Sequence, residues 1–173
     1  MITTDAMAAA VRAAWSRIPA PPDEDLQYMA WGWGEDAWRA FVGIAPVDVD
    51  ISSPGFNAAT PLLDLPPRAA AAYLGTYLLS LLHSLALQEG TGLFSDLLTR
   101  AHVIHCLTEP DFWRNVIRPC LPEECRQTLV EFSSYLTARR EMLALSQAEI
   151  DLIAASAADD PPSPPSASAS GKK

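Results

Sequence analysis

The chain has 173 residues, 49% of them apolar, and carries twenty-one acids against twelve bases for a net charge of −9. That length is one ordinary domain, large enough to bury a core without a metal or disulfide staple, and the apolar content is far above that of a disordered chain. The acidic field excludes nucleic acid and anionic membranes as electrostatic partners and favours a basic one. The imbalance is steepest in residues 1–65, which hold nine acids and three bases. Arginine supplies ten of the twelve bases, a bias that suggests a GC-rich bacterial coding sequence.

The start, MITTDAMAAA, has neither a basic leader nor a long apolar run, and three cysteines stand without a secretory signal. The expected setting is cytoplasmic, with reduced thiols. Residues 4–17 predict an amphipathic helix capped by Thr4, with Met7, Val11 and Ala14–Trp15 on one face. Pro19, Pro21 and Pro22 forbid its continuation. There follows QYMAWGWGEDAWRAF, residues 27–41, with Trp31, Trp33 and Trp38 inside eight residues. A short helix is expected over 35–42, its first turn carrying Glu35 and Asp36 and its apolar face Trp38, Phe41 and Val42. Trp31 and Trp33 share parity, so an extended segment would point both to one side. One is expected to pack on the core and the other to be an exposed anchor.

Residues 43–66 form an irregular crossover, in which VDVDI (47–51) allows one short strand or an extended loop. Next, 67–88 has the composition of a buried central helix, entered through Pro66–Pro67 and stopped at Glu89-Gly90-Thr91-Gly92. It is long enough to span a membrane, but its alanine, serine, threonine and histidine content and the lack of basic flanks favour the centre of a bundle. A helix near 93–107 follows. Thr108-Glu109-Pro110-Asp111 has the capping-box pattern for a short helix DFWRNVIR closed by Pro119. A longer helix over 122–143 carries the stripe Cys125, Leu129, Phe132, Leu136 and Leu143. Ser146-Gln147-Ala148-Glu149 is a second capping box, for a last helix ending near Ala155. From 157 to 173 the chain is a Pro/Ser/Ala tail expected to be disordered. The fold class is therefore all-α: residues 1–156 as one bundle of six or seven helices around the 67–88 helix.

Chemistry is sparse. No phosphate loop, nucleophile elbow or metalloprotease motif is present. His102, His105 and Cys106, with Cys120 and Cys125 downstream, are residue types that zinc accepts. Their spacing matches no zinc module, and Cys125 fits an apolar stripe, so no metal or other cofactor is assigned. The carboxylate groups Asp23-Glu24-Asp25, Glu35-Asp36 and Asp48/Asp50 lie beside prolines and helix starts, as solvated or capping acids do.

The exit Pro22-Asp23-Glu24-Asp25-Leu26, the element Phe41-Val42-Gly43 and the helix LPPRAAAAYLGTYL, with Leu65, Pro67, Tyr73, Leu74, Tyr77 and Leu78 in register, resemble a bacterial domain-of-unknown-function family. That family pairs an N-terminal helix with a tyrosine-bearing helix, and Gly75 and Thr76 replace its proline and alanine. The resemblance implies a stand-alone helical domain of roughly residues 4–155 and supplies no catalytic residues.

The functional expectation is a non-enzymatic, acidic protein-interaction domain, for instance an immunity-type inhibitor of a basic toxin or nuclease. Its partner-binding residues would be Trp31, Trp33, Glu35, Asp36, Asp48 and Asp50, since aromatic anchors and carboxylates suit a basic partner. The alternative is a small-molecule binder or enzyme with a pocket between the tyrosine helix and the tryptophan segment, faced by Tyr73, Tyr77 and His83. A scaffold role is the third possibility.

Overall fold

The structure, a computed structural model, describes residues 2–57, 61–91 and 97–157. Every regular element among them is helical, and VDVDI is a run of turns. The helices are α1 (Thr4–Trp15), α2 (Asp23–Gly32), α3 (Glu35–Arg39), α4 (Pro54–Asn57), α5 (Pro67–Thr91), α6 (Leu97–Thr108), α7 (Pro110–Phe112), α8 (Arg118–Cys120), α9 (Glu123–Thr137) and α10 (Gln147–Ala157). A 3-10 turn, Pro61–Leu63, leads into α5, and a π-helical turn, Trp113–Ile117, joins α7 to α8.

The axis of the fold is α5, as its composition predicts. Residues 69–82 are all buried, so that stretch has no solvent-facing side. It is long and apolar enough to cross a membrane, but the other helices enclose 83% of its most apolar stretch. α1 lies along it most extensively, and α6 and the 110–120 segment cover other sides. α9 packs outside α1, and α10 bridges α9 to α6.

α1 buries Met7, Val11 and Trp15, one per turn. Trp15 reaches the axis: its indole Nε1 donates to the Ala71 carbonyl at 3.2 Å, and its ring occupies the space where a Cβ on Gly75 would sit. The cap of α1 is Thr3, not Thr4. The Thr3 hydroxyl accepts from the Ala6 amide at 3.2 Å, which frees Thr4 for the interior. Thr4 donates to Glu89 at 2.8 Å and shares a 2.9 Å hydrogen bond with Tyr135. Arg139 completes this cluster: its Nε donates to Glu89 at 2.9 Å and its guanidinium lies 3.9 Å above the Tyr135 ring. The ends of α1, α5 and α9 are thereby tied together.

The crossover is held to α5 by the polar residues that dilute that helix. The Tyr73 hydroxyl donates to the carbonyls of Phe41 (2.8 Å) and Ile44 (3.2 Å), and Thr76 donates to Pro46 at 2.6 Å. These bonds satisfy carbonyls that a buried loop would otherwise leave without partners.

Several expected boundaries move. The prolines that end α1 do not open a long loop: Pro22 stands before α2, whose first turn carries Asp23, Glu24 and Asp25 at the positive end of its dipole. The helix expected over 35–42 stops at Arg39 and continues as turns. Gly90 and Thr91 extend α5, and Gly92 and the start of the helix expected at 93 lie outside the described residues. Thr108 is the last residue of α6 and not a cap. Its hydroxyl donates back to Ile104 and His105, each at 3.0 Å, and Glu109 precedes α7 without a side-chain cap. Pro119 does not close the following segment, because the π-helical turn widens the backbone ahead of it and relieves the clash a proline ring makes with the carbonyl four residues earlier. α9 ends at Thr137 and not at 143, where Arg139 turns back onto Tyr135, and Leu143 is buried from the loop that follows. The second capping box forms as expected. The Ser146 amide donates to Glu149 at 2.8 Å and the Glu149 amide to the Ser146 hydroxyl at 3.2 Å. The tail at 158–173 lies outside the described residues.

Candidate functional site: the α2–α3 corner

Because 23–32 is helical, Trp31 and Trp33 do not point the same way. Helical residues two positions apart are about 200° apart around the axis, so one side chain faces out and the other in. Trp31 is 84% exposed, while Trp33 is half-buried against the core. α2 buries Leu26 and Met29 and turns Glu24, Gln27, Tyr28 and Trp31 outward. Tyr28, 50% exposed, is one turn before Trp31 on the same face. Nothing in the sequence alone marks Tyr28. Its spacing to Trp31 marks it only once the segment is taken as a helix.

Trp33 ends α2, its amide donating to Met29 at 2.8 Å, and Gly34 turns the corner at φ +94°, a conformation that favours glycine. α3 then starts with Glu35 and Asp36, both exposed. Glu35 pairs with Arg39 at 2.5 Å. Trp38 is half-buried against the core with its indole N–H enclosed and unpartnered, so it is less deeply seated than its helical spacing to Phe41 predicts. Residues 23–39 hold five acids and one base. The corner thus presents two exposed aromatic side chains, Tyr28 and Trp31, on a segment rich in exposed carboxylates.

Asp48 and Asp50 are also exposed, on the turns after residue 44. Asp50 accepts from the Ser52 amide (2.9 Å) and hydroxyl (2.6 Å), and these bonds hold its carboxyl below the usual range. This turn is tied to α1, where Arg12 donates to the Val47 carbonyl at 3.2 Å. Asp50 is therefore a local turn former.

The space between the tyrosine helix and the tryptophan segment is occupied by aromatic packing. Phe41 lies 4.9 Å from Tyr73 edge-on and 6.3 Å from Tyr77, and Phe56 lies 5.0 Å from Tyr77. His83 is exposed.

The histidine–cysteine residues separate. His102 packs edge-on against Tyr77 with the Cys106 sulfur 3.9 Å from its Nε2, while His105 is exposed. Cys125 is on another helix and donates to the Ala14 carbonyl at 3.3 Å. Burial pushes the Cys106 thiol up to about 12 and the Cys125 thiol up to about 11, so both are unreactive thiols. Among the described residues, no three His, Cys, Asp or Glu side chains are grouped to hold a metal ion.

His102 has a consequence for stability. Burial, and then the His105 charge, lower its pKa to about 4. The unfolded chain therefore binds a proton between pH 6.5 and 4 that the folded chain does not, so stability is lost as pH falls through that window. Urea unfolding should show a loss of at most about 2 kcal/mol from pH 6.5 to 5, lessened by the partial exposure of the ring. His102→Gln should flatten the slope; an unchanged slope would contradict the assignment.

No known family model matches the chain, and no curated protein or solved structure is similar to it.

Proposed function

We propose that the protein is a non-enzymatic interaction domain that docks a basic protein partner through the α2–α3 corner, with Trp31 and Tyr28 as anchors and Glu24, Glu35 and Asp36 as the surrounding charges. The observation that carries this reading is the 84% exposure of Trp31 within an acidic surface. A tryptophan buries about 150–250 Å² when covered, so a partner that closes over it recovers up to about 5 kcal/mol that folding leaves unused. The carboxylates around it speed encounter with a positive surface and reject negative ones. An inhibitor that masks a basic toxin or nuclease, held in the cytoplasm, is the form of this role the charge pattern favours. Asp48 and Asp50 belong to the same acidic stretch, residues 1–65, and add to its field, not to the aromatic contact.

The test is co-expression with the product of an adjacent basic open reading frame. A complex that weakens with salt, and that Trp31→Ala weakens by about 2–4 kcal/mol, is expected. Because the side chain is exposed, the same variant should move the unfolding free energy by no more than about 0.5 kcal/mol. A complex indifferent to Trp31→Ala and to Glu35→Lys/Asp36→Lys, or no complex at all, overturns the proposal.

A further inference from the structure

The 110–120 segment and α10 border a hollow of about 280 Å³. Its lining is mainly apolar, from Pro110, Trp113, Leu152 and Ala155, and Arg114, Arg118 and Ser156 complete it. The parts are held in place. The Trp113 indole N–H donates to the Leu107 carbonyl at 2.8 Å, so the ring is fixed and its only polar atom is satisfied away from any ligand. Asp111 holds Arg114 at 2.6 Å through one nitrogen of a guanidinium that has five donors in all. The π-helical turn between α7 and α8 sets the spacing of the two arginines, four residues apart and both in the lining. Leu152 remains 43% exposed at the rim, an apolar side chain left in water beside two cations.

In a chain of net charge −9, two arginines bordering an apolar hollow select for sign. Guanidinium groups bind carboxylates through paired N–H donors, and the apolar floor takes the body of the ligand. The volume is about twice that of the ~150 Å³ apolar cavity known to accept benzene, and just below the ~300 Å³ at which drug-sized pockets begin.

We propose that this hollow binds a small organic carboxylate with an apolar body of one or two rings. The site shares no residue with the α2–α3 corner and stands or falls independently of it. The probe is 2-naphthoate, titrated by calorimetry against the full chain, with neutral 2-naphthamide as the control for charge. One naphthoate per chain is expected, bound at least tenfold more tightly than the amide. Arg114→Gln/Arg118→Gln should remove that preference while leaving the amide unchanged. Leu152→Glu, at a rim position that tolerates charge, should abolish both. Equal affinity for acid and amide, binding insensitive to these variants, or no saturable binding of naphthoate overturns the proposal.

Discussion

Gly75→Ala is expected to destabilise the protein by about 1–3 kcal/mol, even though alanine is the better helix former by about 1 kcal/mol. The reason is Trp15. A Cβ at position 75 would lie 2.4 Å from two atoms of its ring and 2.8 Å from a third. The ring cannot retreat without giving up its hydrogen bond to Ala71 and its place between α1 and α5. Trp15→Ala alone should cost about 3–5 kcal/mol, because a fully buried indole is removed from the largest helix interface. The decisive measurement is the double-mutant cycle by urea unfolding. In the Trp15→Ala background, Gly75→Ala should cost nothing or stabilise, since the clash has gone and the propensity gain remains. An equal penalty in both backgrounds would mean that α1 does not seat on α5 through this pair.

Glu89→Ala should lower stability by about 2–3 kcal/mol, more than an exposed ion pair is worth. The Arg139 side chain is only 10% exposed, and its Nη1 is already enclosed without a partner. Removing Glu89 takes away the carboxylate that accepts from both Arg139 and Thr4 and leaves a cation enclosed. Breaking a fully buried pair in this way costs about 3–5 kcal/mol, and the partial exposure of Glu89 lets water recover some of it. The carboxyl itself shows the balance. Burial opposes its charged form, but hydrogen bonds from Arg139 and Thr4 outweigh burial and hold its pKa below the ordinary value. Its contribution is therefore present above the usual glutamate range and lost as pH falls below it. Urea unfolding near neutrality and at pH 3 should show Glu89→Ala converging on the wild type in acid. A variant within 0.5 kcal/mol of wild type at pH 7 would show that the cluster is held by its packing alone.

The parts of the fold legible in the sequence are those set by local chemistry. The buried axis follows from an apolar run without charge, and the α10 cap from Ser146 and Glu149 three residues apart. The same logic failed at Thr108, because its hydroxyl has a choice of partners: it bonds the carbonyls of the helix behind it instead of the amides ahead. The α9 stripe overran for a related reason. Leu143 is apolar because it is buried, but a loop buries it. At the candidate site the error was one of period. The alternation of Trp31 and Trp33 suggests an extended segment, in which they share a side; as helix they oppose each other, and Tyr28 joins Trp31. Composition could place tryptophans and carboxylates in one region, but only the backbone period decides which of them meet solvent.

The partners of α1 are far away in the chain. Trp15 is completed by Gly75 and Ala71, and Thr4 by Glu89 and Tyr135. At roughly 5–20 residues per second of translation, the ribosome makes α1 about 3–12 s before Gly75 and roughly 6–24 s before Tyr135. Met7, Val11 and Trp15 leave the exit tunnel with nothing to cover them for that time. α1 thus stays uncovered until α5 is made, and slow codons within α5 would lengthen that exposure, whereas slow codons after α9 would not.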